Sequence, residues 1–357
     1  MKTVAGTLAA PFPYFGGKSL ACETVWSALG DPENYVEPFA GSAAMLLGRP
    51  NVGKVETIND ADGFVANFWR AVSLDAAEVA RHVDWPTNEA DLIARHSWLV
   101  RNAPGLLQRL EADPDYYDAK VAGWWCWGAC NWIGSGWCSG TGPWQHDGEK
   151  LVDARQLPHL GNAGRGVNRK LPHLGDAGRG VNRQRGKRAA LYEYFRALRD
   201  RMRGVRVCCG DWTRVMGGDT GEALRCHFAS GDKCAVFLDP PYADTAKRTD
   251  DLYRCDSLSV AHAVREWAIK HGDDKRYRIA LCGYDEEHEM PETWTVIEGR
   301  AGGGNGYGGQ SRDGYKNERR ERIWFSPHCL PGNAEIEIDP ATCRPRAERS
   351  LWDGVPA

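Results

Sequence analysis

Short apolar runs recur along this chain, and most end on an acid or just before one. Tyr35-Val36 leads into Glu37, and Val55 to Ile58 leads into Asn59-Asp60. Val205 to Cys209 leads into Gly210-Asp211, and Ala235 to Leu238 leads into Asp239. Runs of this length bounded by turn residues predict buried strands, and Arg278 to Cys282 predicts another. Between them the period changes. Ala43 to Leu47 is helix-forming; Leu191, Tyr194, Phe195, Leu198 and Met202 recur at helical spacing, as does Val260 to Lys270. Thr293 to Ile297 and Arg322 to Phe325 predict a late hairpin around the glycine-rich loop Gly302 to Gly309, which is expected to be flexible. Strands alternating with helices give an α/β fold, a Rossmann-like mostly parallel sheet with a late antiparallel hairpin. Ligands in such sheets bind beyond the carboxyl ends of the strands. Glu37, Asp60, Asp211 and Asp239 all fall there, so they are expected to converge on one crevice.

The run at 235–238 leaves its strand through Asp239-Pro240-Pro241-Tyr242. Each proline removes a backbone donor and fixes φ, so the loop is stiff and keeps its carbonyls free. The residue before a proline is held extended. A rim with one carboxylate, free carbonyls and an aromatic ring suits a planar amine. Asp239 and the Pro240 carbonyl accept its N–H bonds, and Tyr242 stacks on its face. Read alone, the same four residues also describe an ordinary strand end with a Pro-Pro turn.

Three more segments complete the pattern: Tyr14-Phe15-Gly16-Gly17-Lys18, then Glu37-Pro38-Phe39-Ala40-Gly41-Ser42, then Asn59-Asp60. With Asp239 to Tyr242, and in that order, they resemble the DNA adenine methylase family, the N6-adenine methyltransferases that use S-adenosylmethionine. The resemblance covers about residues 11–75 and 205–326. It implies that Tyr14, Phe15, Gly16, Gly17, Lys18, Glu37, Pro38, Phe39 and Gly41 bind S-adenosylmethionine. It also implies that Asp211, with Trp212 beside it, contacts the cofactor adenine. Asp60 is expected to accept bonds from a ribose diol, as strand-end acids do in nucleotide folds, and Gly41 to let the backbone approach the cofactor closely. Catalysis is expected from Asp239, Pro240, Pro241 and Tyr242 acting on an adenine flipped out of the duplex. One departure concerns the turn: many members have a second glycine after Gly41, where this chain has Ser42-Ala43-Ala44. The turn should survive with small residues there, but a DNA-binding protein on a decayed methylase scaffold would look similar. Action on cytosine N4 or on RNA adenine is also compatible with the motifs. A nicotinamide dehydrogenase is disfavoured, because the turn lacks the Gly-x-Gly-x-x-Gly fingerprint.

Composition adds context. No apolar run is long enough to span a bilayer, and Met1 to Ala10 has one lysine and no extended apolar core, so no secretory signal is expected. The twelve cysteines are scattered and are expected to be reduced thiols of a cytoplasmic protein, in a bacterial cell or a phage-infected host cell. Cys126, Cys130 and Cys138 lack a paired Cys-x-x-Cys, so no metal is expected.

Formal net charge is −3, yet residues 155–206 carry fourteen Lys/Arg against three acids. Such a basic segment is the footprint of a phosphate backbone, or else a solvated basic loop. It holds a tandem repeat, Leu157 to Lys170 and Leu171 to Gln184, identical at twelve of fourteen positions. Arg165, Arg169, Lys170, Arg179, Arg183 and Arg185 are the candidate contacts to double-stranded DNA. Before the repeat stands a tryptophan cluster, Trp124, Trp125, Trp127, Trp132, Trp137 and Trp144, expected to be mostly packing residues with one part facing a ligand. The family places its target-recognition region in this interval. The organisation expected is therefore a catalytic domain from 1–75 and 191–330, an inserted DNA-reading region at 76–190 and a tail at 331–357. The recognition sequence, a restriction partner and the choice between monomer and dimer are not legible.

Overall fold

The computed structural model describes residues 8–14, 18–19, 21–102, 104–113, 115–132, 137–138, 144–146, 151–153, 188–217, 232–241, 260–285, 288–298, 321–331, 338–339 and 344–345. Phe15, Gly16, Gly17, Tyr242, the loop Gly302 to Gly309 and the whole tandem repeat lie outside the described residues. So do Arg165, Arg169, Lys170, Arg179, Arg183 and Arg185.

A seven-stranded, mostly parallel sheet organises the chain. Its strands are β1 (Asn34–Glu37), β2 (Val55–Asp60), β5 (Val205–Cys209), β6 (Cys234–Leu238), β7 (Tyr277–Tyr284), β8 (Thr295–Glu298) and β9 (Glu321–Phe325), in the order β5-β2-β1-β6-β7-β9-β8. The first five are parallel, and β9 runs antiparallel to both β7 and β8. The expected late hairpin is thus the β8–β9 pair, with Ile297 opposite Ile323. Two small antiparallel pairs lie outside the sheet, β3 (Trp144–His146) with β4 (Leu151–Asp153) and β10 (Ile338–Asp339) with β11 (Arg344–Pro345).

Alternation along the strands builds a core on each face, as a parallel sheet requires. Tyr35, Ile58, Ala235, Phe237, Ala280 and Cys282 point to one side. There they meet α1 (Cys22–Leu29), α3 (Gly63–Val83), α6 (Ala119–Ala129) and α7 (Arg188–Met202). Val36, Val236, Leu238, Ile279 and Leu281 point to the other, where α8 (Thr213–Met216) and α9 (Val260–Gly272) pack through Val215, Met216, Val264, Trp267 and Ala268. β6 is buried at every position, which is why Ala235 to Leu238 reads as an unbroken apolar run.

Between β2 and β3 the regular elements of the described chain are all helices. α3 is followed by α4 (Glu89–Asn102), α5 (Leu106–Ala112) and α6, and Leu99, Leu106, Leu110, Val121 and Trp125 join the same core as the sheet. α3 kinks at Asp75, whose side chain then accepts from the Glu78 N–H. Of the tryptophan cluster, Trp125, Trp127 and Trp132 are buried. The Arg95 guanidinium sits over Trp85, Trp124 and Trp127 at 5.0, 4.9 and 4.3 Å, and the His96 ring stacks on Trp132. The described cysteines are free thiols, and among the described residues no group of His, Cys, Asp and Glu is arranged to hold a metal. Among them, too, no helix is long and apolar enough to cross a membrane.

Candidate functional site

β1 is where the strand order reverses, with β2 and β5 on one side and β6 and β7 on the other. Two chains leaving a sheet in opposite lateral directions leave a crevice between them, and it lies at the carboxyl ends. A cavity of about 280 Å³ opens there. That is near the lower end of the about 300–1,000 Å³ of small-molecule sites. Glu37 enters it from the end of β1, Asp60 from the end of β2, Asp211 from the loop after β5 and Asp239 from the loop after β6. The four strand-end acids therefore meet in one place.

Each acid is held differently. Asp60 Oδ2 accepts the Gly41 N–H at 2.9 Å and Oδ1 accepts the Asp62 N–H at 2.8 Å. Asp211 Oδ1 accepts both the amide and the hydroxyl of Thr213. Asp239 pairs with the Lys18 ammonium at 3.1 Å, and Glu321 lies 3.9 Å beyond the same nitrogen. Burial raises the Asp239 carboxyl above its ordinary range, and Lys18 opposes that rise. Glu37 is 3% exposed. Its Oε2 accepts the Tyr35 hydroxyl at 3.0 Å and the Leu46 N–H at 3.3 Å, while Oε1 has no hydrogen bond among the described residues. Burial, which outweighs those two bonds, with Asp239 and Asp60 adding to it, pushes Glu37 up to about 8. No family model matches the chain, and no curated protein matches it.

The remaining wall is largely aromatic and apolar. Tyr14, Pro38, Phe39, Trp212 and Pro241 line the cavity together with Lys18, and the Phe39 and Trp212 rings stand 6.3 Å apart at 32°. Pro240 is buried beneath the rim. The fold itself requires Gly41. Its φ is +47°, and a Cβ there would lie 2.3 Å from the Tyr14 ring. The close approach is made by a side chain of this chain, and Gly41 in turn fixes the turn through Asp60 and through Trp69, whose indole donates to its carbonyl at 3.0 Å.

The next turn position carries strain. The helix predicted over Ala43 to Leu47 begins one residue later, as α2 (Ala44–Leu47), because Ala43 is left-handed at φ 50°. It lies within Ser42-Ala43-Ala44, the stretch that lacks a second glycine.

Sequence reasoning passed over several residues. The Asn59 amide donates to the Pro38 and Gly210 carbonyls, both at 3.0 Å, and so clamps the loops after β1 and β5 across β2. Asp62 caps α3 and also lines the cavity, as do Ser42, Met45 and Phe237. Only the Asn59-Asp60 pair itself offered a signal for that clamp.

Proposed function

We propose that this chain is a DNA methyltransferase of the DNA adenine methylase kind, transferring a methyl group from S-adenosylmethionine to the N6 amine of a flipped adenine. The observation that carries this reading is the convergence of Asp239, Glu37 and Asp60 on one cavity at the sheet's reversal point, with the Asp239 carboxylate turned towards Lys18 inside it. A turn-out of Asp239 would have removed the amine acceptor from the crevice.

The residues present suit the cofactor. Asp60 is oriented by two backbone donors at the end of β2, the position from which a strand-end acid reaches a ribose diol. Phe39 and Trp212 give the cavity an aromatic wall suited to a flat ring, and Asp211 lines it with them. Glu37 offers a cation an oxygen that has no partner among the described residues. The cofactor supplies an electrophilic methyl group on a positively charged sulfur.

The amine is a poor nucleophile, since its lone pair is delocalised into the purine ring. Asp239 accepts one of its N–H bonds and stabilises the positive charge that develops on nitrogen. Lys18 keeps that carboxylate ionised and aimed. Pro240 and Pro241 fix the rim, so that alignment of nitrogen and methyl carbon supplies much of the remaining rate. Tyr242, next along the rim, is assigned the stacking role on the extruded base. The interval 76–190, with its basic repeat, is assigned to the DNA.

Two measurements test the reading. Expression in a methylation-free host should place N6-methyladenine at a defined sequence in the host DNA; an unmodified genome, or methylcytosine alone, refutes it. Asp239→Ala should abolish transfer and leave cofactor affinity within a few-fold of wild type. Equal loss of both in a folded variant counts against the assigned role.

A further inference from the structure

Glu37 is buried in the wall of a cavity that already holds four other carboxylates, Asp60, Asp62, Asp211 and Asp239. Among the described residues one cation, Lys18, reaches into that wall, and it is engaged by Asp239. Both protein hydrogen bonds to Glu37 fall on Oε2. The proton of its neutral form therefore sits on Oε1, the oxygen with no protein partner among the described residues. Glu37 feels the charges of both Asp60 and Asp239, which line the same cavity. On the proposed function, those two hold the nucleoside and the acceptor amine, so the charged sulfur belongs in the interval that Glu37 faces.

We propose that Glu37 is the residue by which this cavity distinguishes a sulfonium donor from the neutral thioether left after transfer, ionising against the cation and regaining its proton when the charge is gone. This rests on the methyl-donor reading above and adds to it a determinant of product release. The balance is simple. Binding of the cation releases one proton from the Glu37 carboxyl to solvent. In transfer the S–CH₃ bond breaks with its electron pair left on sulfur, and the N–CH₃ bond forms from the amine lone pair. The surplus amine proton passes to Asp239 and then to solvent. Glu37, now facing a neutral sulfur, takes one proton back.

Burial that holds the empty-site carboxyl near 8 leaves it about nine-tenths protonated at pH 7, so the exchange is nearly a full proton. The other ionisable groups around it are accounted for. On its own strand the Tyr35 hydroxyl is raised well above its usual range by burial and by Glu37. From α1 the Cys22 thiol, and from β7 the Cys282 thiol, are raised chiefly by burial. These three stay neutral through the range that matters. Asp60, Asp239 and its partner Lys18 remain.

The test compares S-adenosylmethionine with S-adenosylhomocysteine by titration calorimetry from pH 6 to pH 9, on wild type and Glu37→Gln. Taking the ratio of the two dissociation constants cancels the α-amino group that both ligands share. In wild type, preference for the sulfonium should grow by up to roughly 90-fold over that range. Repeating the titration at pH 7 in phosphate and in Tris should show release of close to one proton with the sulfonium and far less with the thioether. Glu37→Gln should flatten the pH dependence and abolish the excess proton release. A ratio constant with pH in wild type overturns the inference while leaving the donor reading intact, as does an unchanged slope in Glu37→Gln. Failure of wild type to bind either compound overturns both together.

Discussion

Removal of Lys18 is the sharpest probe of the site. Its ammonium lies 3.1 Å from Asp239 Oδ1 and the lysine side chain is 3% exposed, so the pair is shielded from bulk water and salt. At that separation of 3.1 Å and an effective dielectric of about 20, the attraction is roughly 5 kcal/mol. Water refilling the vacated space takes back part of it, and opposite charges at such range move a carboxyl's titration by about 1–3 pH units. Asp239 is already raised by burial, with Lys18 holding it down. Lys18→Gln removes the group that opposes the rise and should therefore raise it further. On the proposed function the ionised carboxylate is the form that stabilises the positive charge developing on the amine, so activity should fall on the acid side of the Asp239 titration. The assay is kcat for transfer of a labelled methyl group to DNA, at saturating DNA and cofactor, from pH 5 to pH 10. The acid limb should move to higher pH in Lys18→Gln, and the rate well below it should drop about tenfold for each pH unit that the limb moves. Lys18→Arg, which keeps the charge, should restore most of the limb's position. An acid limb that stays within a few tenths of a pH unit of wild type in Lys18→Gln refutes the idea that this lysine keeps Asp239 ionised.

Three other perturbations follow from the turn and from the buried acid. Ala43→Gly relieves a left-handed residue, worth about 1–2 kcal/mol, and loses a buried methyl worth about 0.8 kcal/mol. Urea unfolding should show a change within about 1 kcal/mol, on the stabilising side, where a buried Ala→Gly in regular helix would cost about as much. Gly41→Ala forces a Cβ into the Tyr14 ring and should cost about 2 kcal/mol or more. Combining it with Tyr14→Ala should recover part of that loss, and strict additivity of the two would show that the ring is not the obstacle. Glu37 is raised from 4.5 to about 8, so its contribution to stability is fully present below pH 4.5 and is lost as pH rises through 8. At about 1.36 kcal/mol per pH unit the ligand-free protein should lose up to roughly 5 kcal/mol across that window on this group's account. Glu37→Gln should be about as stable as wild type near pH 4 and several kcal/mol more stable at pH 9, measured by denaturant unfolding at each pH.

The strands and the meeting of the acids were legible because both depend on local pattern. β5 spans Val205–Cys209 as read, and β6 and β7 exceed their apolar runs by one to three residues, where Cys234, Tyr277, Gly283 and Tyr284 continue the ladder. A strand-end acid needs only the strand's own boundary to be placed. The pairings across the cavity were not legible, since they depend on strand order. Lys18, in the segment before α1, and Asp239, after β6, stand far apart in sequence and meet only in the wall of the folded cavity. The Asn59 clamp depends likewise on β2 lying between β1 and β5. Ala43 is the instructive case. Sequence marked Ser42-Ala43-Ala44 as lacking a second glycine and expected small residues to be tolerated there; the structure places an alanine at φ 50° within that stretch. Helix α3 was missed because small and apolar residues fill most of its circumference, as the buried Gly63, Ala66, Asn67, Ala71 and Val72 show, and a helix buried on most sides lacks a clean stripe.

The site also explains why its acids are costly to the fold. A carboxyl held neutral by burial is an apolar-surrounded acid waiting for a cation, and its stability deficit above its titration point is the free energy that a cation can return. Glu37 and Asp239 are both raised, but among the described residues only Asp239 has a resident counter-charge, Lys18. The resident pair fixes the acceptor in place before any substrate arrives, which suits a group that must be aligned. Glu37 has no such partner among the described residues, so on the proposed function its ionisation is set by what enters, which suits a group that responds to the donor's charge. The two acids are thus poised differently by one structural fact, the reach of a single lysine. A second cation engineered beside Glu37, as in Ser42→Lys, would be expected to raise stability at alkaline pH and to weaken binding of the positively charged donor more than of its neutral product.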